Sequence, residues 1–252
     1  MSKRIIIQLP IHPMFLALFL LLGLMPLLWF YLIPRALAQA FQPLGLNPLL
    51  GYIVALLMVF LSIVFSAVNI AITEVPRQVV VPEIDYVWFF GLPYPIPRLR
   101  LVVSKTIVAV NVGGALVPLT LSTLMLALFS INVKAVPATL ATACTVAVVA
   151  TVSHIASRVI PGVGIVVPAL VPPLAASLPT ILLSHILEVV DLGPAIAYIG
   201  AVIGTLIGAD VVNLVKHFHK LQSPLVSIGG AGTFDGIYLS GIVALLLTFL
   251  FT

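Results

Sequence analysis

Two aspartates stand in sequence that is otherwise apolar: Asp210 in GTLIGADVVNL and Asp235 in GGAGTFDGIYLSG. An ionisable side chain within an apolar run is costly enough to be treated as a mark of function. The two lie twelve residues before and thirteen residues after Gln222, in the polar turn Lys216-His217-Phe218-His219-Lys220-Leu221-Gln222-Ser223-Pro224. Two helices folded back at that turn bring both carboxyls to nearly the same depth. Carboxyls that meet at close range cannot both ionise cheaply, so such a pair shares a proton.

The elements that must hold this pair follow from composition. With 62% apolar and 7% charged residues, the chain has too little polar surface to cover a soluble domain. The expected class is an all-α polytopic membrane protein, a single transmembrane domain over 1–252, placed in the cell membrane and bathed in lipid. The formal charge of +4 does not indicate nucleic acid, because the basic residues are scattered singly between apolar runs. The single cysteine, Cys144, excludes an internal disulfide and a thiolate metal site. The basic start followed by a long apolar run, with no small-residue cleavage site, is read as a first span.

Apolar runs long enough for about 30 Å of hydrocarbon occur near 13–33, 47–72, 103–131, 135–157, 162–184, 194–215 and 226–251. Seven spans with the N-terminus in the cytoplasm and the C-terminus outside put Lys3, Arg4, Arg77, Arg98, Arg100, Lys105, Arg158, Lys216 and Lys220 inside. Only Arg35 and Lys134 fall outside, which is a positive-inside distribution.

The long connection 73–102 mixes charges, prolines and aromatics and does not suit a spanning helix. It is expected as a cytoplasmic interfacial loop, with short β-like runs at Val79–Val81 and Tyr86–Phe90. Its Trp88, Phe89, Phe90 and Tyr94 suit a headgroup-level aromatic belt. An exposed strand edge there offers a second reading, capture of an extended peptide by β-augmentation.

Three spans are interrupted by glycine and proline, at Asn111-Val112-Gly113-Gly114, at Pro161-Gly162-Val163-Gly164 and at Gly229-Gly230-Ala231-Gly232. Broken backbone at membrane depth needs shelter from protein or water. Asn111, Gly113, Gly114, Gly230 and Gly232 are therefore candidates for substrate contact, although close helix packing explains each glycine motif equally well. Gly200, Gly204 and Gly208 form a small-residue ridge on the sixth span. Asp210 is turned about 200° from Gly208, so that helix is expected to be central. Asn213, one turn on, is a candidate to orient Asp210. In the seventh span Gly232, Gly236 and Ser240 make a second ridge beside Asp235, with Tyr238 one turn away.

His12, His154 and His185 read as interfacial side chains, and His217 and His219 as loop charge without further ligands. No metal and no cofactor is expected. No phosphate loop, dinucleotide fingerprint or Ser-His-Asp set appears.

NVGGALVP, PGVGIVVPALVPPL, GTLIGAD and SIGGAGTFDGIYLSG, spread from Asn111 to Gly241, resemble the signature blocks of a prokaryotic polytopic membrane-protein family catalogued as a domain of unknown function. A weaker likeness is to the presenilin and signal-peptide-peptidase class of intramembrane aspartyl proteases. It rests on two aspartates on consecutive spans, a Gly-Ala-Gly before the second, and Pro168-Ala169-Leu170. That class places its second aspartate directly after Gly-x-Gly, whereas Thr233 and Phe234 intervene here. Its first follows tyrosine, whereas Asp210 follows Ala209, and its Pro-Ala-Leu comes after both aspartates rather than before them. The likeness implies Asp210 and Asp235 as a catalytic dyad, Pro168, Ala169 and Leu170 as substrate contacts, and transmembrane peptides as substrates. An ion- or proton-coupled transporter with the same aspartates as ion sites is the alternative. A structural subunit with aspartates paired to Lys or Arg is disfavoured, since no basic residue lies deep in a span.

Overall fold

A computed structural model describes residues 23–160, 164–217 and 223–251. In chain order the elements are α1 (Gly23–Leu44), α2 (Pro48–Val64), β1 (Asn69–Phe89), β2 (Leu92–Asn111), α3 (Val112–Ser130) and α4 (Ala135–Ala156). They are followed by β3 (Arg158–Ile160), β4 (Gly164–Val166), α5 (Val171–Ile186), α6 (Val190–Lys216), β5 (Leu225–Ile228) and α7 (Gly236–Phe249). The fold is mostly helical. α1, α3, α4 and α6 are long and apolar enough to cross a membrane, whereas α2, α5 and α7 are shorter apolar helices.

α6 is the axis of the bundle. From Gly193 to Thr205 all its residues are buried except Ile203. The glycine ridge explains how it is packed: a methyl at Gly200 would meet Thr145, at Gly204 the Val149 side chain, and at Gly208 the backbone of Ala150. α4 thus lies against α6 at small-residue distance. α7 packs on another side, where Gly241 faces Tyr198 and Val202, and Ser240 bonds Thr205 across the two helices at 3.2 Å.

The all-α expectation is corrected by two sheets. The segment 73–102, expected as a loop with short β-like runs at Val79–Val81 and Tyr86–Phe90, lies within a long antiparallel hairpin that takes in both runs, β1 pairing with β2 from Asn69↔Asn111 to Phe89↔Leu92. Its turn is Phe90-Gly91, both with positive φ, 50° and 80°, as a two-residue hairpin turn requires. β2 takes up 103–111, which were expected to begin a span, so α3 starts at Val112. β5 pairs parallel with Ile107–Val110 of β2, giving the order β1-β2-β5. β3 and β4 form a small second sheet where the fifth span was expected to begin. α2 ends at Val64 rather than at 72, because β1 begins at Asn69; α5 starts at Val171 rather than at 162; α7 starts at Gly236 rather than at 226; and α1 runs on to Leu44. The expected segment 13–22 and the loop positions 218–222 lie outside the described residues.

Candidate functional site

Asp210 sits in a π-helical turn, Leu206–Val211, within α6. Such a turn inserts one residue into the helix, redirects the side chains after it and frees carbonyls. Asn213 takes those up: its Nδ2 donates to Gly208 O at 3.0 Å and to Ala209 O at 2.9 Å. The expectation that Asn213 orients Asp210 is thereby replaced by a role in the backbone that carries Asp210. The Asp210 carboxylate accepts no hydrogen bond from the described residues and is half-buried.

Asp235 is held differently. It is extended (φ −71°, ψ 150°) and caps α7, its Oδ1 accepting the Ile237 N–H at 2.9 Å. Its Oδ2 accepts the Ala231 N–H at 3.3 Å. The preceding chain turns sharply through Gly229 and Gly232, with φ of 72° and 63°, values that favour glycine. Three contacts, from Ser66 and Trp29, brace this loop and the start of α7. Thr233 N–H donates to Ser66 Oγ at 3.2 Å, Trp29 stands edge-on to Phe234 at 5.8 Å, and Trp29 stacks on Tyr238 at 5.7 Å.

Both aspartates line one cavity of about 340 Å³, with β5, Gly164 and Ile165 of β4, Leu214, Gly230 and Ala231. A smaller adjoining space of about 160 Å³ is lined by both again, with Thr205 and Ile165–Val167. Two short strands therefore lie along the space that the two carboxylates share. Among the described residues no cluster of three or more His, Cys, Asp or Glu side chains gathers to hold a metal.

Of the other residues singled out in the sequence, Gly230 lines the cavity. Asn111 is fully buried at the start of α3. Its Oδ1 accepts the Gly114 N–H at 2.7 Å, and its Nδ2 donates to Ser66 O at 2.7 Å and Asn69 Oδ1 at 3.1 Å. Gly113 and Gly114 are packing positions: a methyl on the first would strike the backbone of Ser62 and Ser66, and on the second that of Gly229 and Gly232. Gly232 lies against Ser66 and Tyr238 in the aromatic cluster, both apart from the lining. Pro168, Ala169 and Leu170 are exposed ahead of α5, and the residues just before them, Ile165–Val167, meet the aspartates instead. β5 was missed because LVSI, between Pro224 and Gly229, is β-branched and apolar and merges with the following run.

A model of the family described as "Protein of unknown function (DUF1614)" matches residues 63–247, which include both aspartates and every strand. No curated protein and no solved structure matches the chain.

Proposed function

Since the chain belongs to the DUF1614 family, whose function is unknown, an activity has to be argued from the site, and we propose that it is an intramembrane aspartyl endopeptidase. The observation carrying this reading is that Asp210 and Asp235 line one cavity together with two short strands. Carboxylates alone suit an ion as well as a peptide. Strand backbone beside them favours a polypeptide, which can be held extended by main-chain hydrogen bonds. β5 is the outer strand of its sheet, and no other strand pairs with its second edge among the described residues. A stretch of substrate unwound from a helix would lie along that edge with its carbonyl near the aspartates.

In the reaction one carboxylate takes a proton from water as the oxygen attacks the peptide carbonyl carbon. The protonated partner donates to the carbonyl oxygen, giving a tetrahedral diol. Collapse breaks the C–N bond, a proton passes to the leaving nitrogen, and an acid and an amine depart. The weaker likeness to the presenilin and signal-peptide-peptidase class points the same way.

We also propose seven spans, with the N-terminus inside and the C-terminus outside, in a multi-pass protein of the cell membrane. The distribution of connections supports it. Asn132 Nδ2 bonds Pro43 O at 2.9 Å and Lys134 Nζ bonds Asp191 at 2.7 Å, so the turns after α1, α3 and α5 meet at one end. β5 and β4 line the cavity, the hairpin root pairs with β5, and Lys216 contacts His154 at 3.1 Å, so the turns after α2, α4 and α6 meet at the other.

The test uses purified protein in detergent with a single-span peptide. Cleavage that is lost in Asp210→Asn and in Asp235→Asn is the expected result. Proton or sodium flux in liposomes that depends on both aspartates, without any cleavage, would transfer the site to a transporter.

A further inference from the structure

The register of the hairpin divides its charges between two faces in a way the linear sequence hides. With Val80 opposite Leu101 and Glu83 opposite Arg98, odd positions of β1 share a face with even positions of β2. That face carries Arg77, Glu83, Asp85, Arg98 and Arg100, tied by Arg98–Asp85 at 3.0 Å and Arg100–Glu83 at 3.3 Å. The other face has one ion pair at its root, Lys105–Glu74 at 2.8 Å. Beyond it, from Gln78 and Val103 to the turn, there is no charge. Val80, Ile84, Trp88, Leu99, Leu101 and Val103 stand on it, each more than half exposed. At about 3.3 Å per residue, this uncharged face is roughly 40 Å long. An apolar surface of that extent marks an interaction site, and a two-stranded hairpin alone in water is marginally stable.

The prolines narrow the choice of partner. Ile107 N–H donates outward to Pro224 O, just ahead of β5, so by alternation the odd nitrogens of β2 point away from β1. Pro93, Pro95 and Pro97 fall on those positions, and their paired positions put Pro76 and Pro82 on the outer edge of β1. All five prolines of the hairpin thus replace an edge donor, a device that blocks strand addition. Pairing with a peptide or with a second copy along 76–97 is interrupted, contrary to the β-augmentation reading of this segment. The hairpin is also rooted between two apolar helices, leaving α2 at Val64 and joining α3 at Val112. Tyr86 and Trp88 near the turn are side chains that settle at headgroup level.

We propose that the β1–β2 hairpin lies on the bilayer, its uncharged face against lipid and its ion-paired face toward water. This inference is independent of any activity at the aspartates. Nitroxide scanning tests it: single cysteines at positions 98 to 103 in a Cys144→Ser background, spin-labelled and reconstituted in vesicles of phosphatidylethanolamine and phosphatidylglycerol. The expected profile alternates, with oxygen-accessible labels at 99, 101 and 103 and labels accessible to a water-soluble nickel chelate at 98, 100 and 102. Six labels equally open to the chelate would leave the hairpin free in water and overturn the proposal. Labels shielded from both reagents, with spin–spin broadening between copies, would assign the face to a second protomer and overturn it equally.

Discussion

At the scale of single residues, the two aspartates do different work in the fold, and stability measurements separate that work from chemistry. Asp235 caps α7, so Asp235→Ala should cost about 1 kcal/mol, the usual loss of a helix cap. Serine caps as well, so Asp235→Ser should recover most of that stability while peptide cleavage stays abolished. Asp210 accepts no hydrogen bond from the described residues, and Asp210→Ala should leave stability unchanged or slightly raised, since a half-buried carboxylate is removed. Unfolding in a graded detergent mixture reads all three; an Asp210→Ala variant less stable than Asp235→Ala would mean that Asp210 has a structural partner. Charge in an apolar run made both aspartates legible in the sequence. Asn213 and Asn111 were not, because their partners lie on a π turn and on neighbouring loops, and those irregularities come from packing that no local pattern records.

Elements were legible where one physical requirement dominated. The ridge Gly200, Gly204, Gly208 announced a close helix contact and a central α6, and α4 supplies that contact. The ridge also yields a graded prediction. Gly200→Ala meets the Thr145 side chain, held by hydroxyl bonds to Ala141 O and Thr180 Oγ1, whereas Gly208→Ala meets the Ala150 backbone, which is harder still to displace. Overpacking costs about 1–3 kcal/mol, so Gly208→Ala belongs at the upper end and Gly200→Ala below it, measured by the same unfolding assay. Equal losses would mean that α4 and α6 can separate as rigid bodies. Gly114→Ala should act on the site at a distance, because the added methyl strikes Gly229 and Gly232 in the loop that presents Asp235. Cleavage should fall in that variant although Gly114 does not line the cavity. Of the strands, the runs Val79–Val81 and Tyr86–Phe89 of β1 were legible and the rest were not. Residues 103–111 and 225–228 are apolar and continuous with helical runs, and hydropathy weighs a buried strand and a buried helix alike. What distinguishes them is pairing between positions more than a hundred residues apart, as between Ile107 and Leu225.

For the whole molecule, the proposed orientation rests on the arrangement of connections and the placement of charge. Lys134 is at the end opposite the cavity, with Asp191, while Lys105, Lys216 and the arginines of the hairpin are at or beyond the cavity end. The proposed odd number of crossings requires six turns that alternate between two ends, and under that proposal the basic excess assigns the cavity end to the cytoplasm. Single cysteines in a Cys144→Ser background test this directly. Val133, fully exposed in the turn between α3 and α4, should as Val133→Cys react in intact cells with a membrane-impermeant maleimide. Glu83→Cys, on the charged face of the hairpin, should react only after the membrane is opened, and losing its exposed ion pair with Arg100 costs the fold little. Labelling of Glu83→Cys in intact cells with Val133→Cys protected would invert the molecule and put the aspartates on the outer side. Labelling of both would leave the six turns without two sides, and a count of seven crossings could not stand.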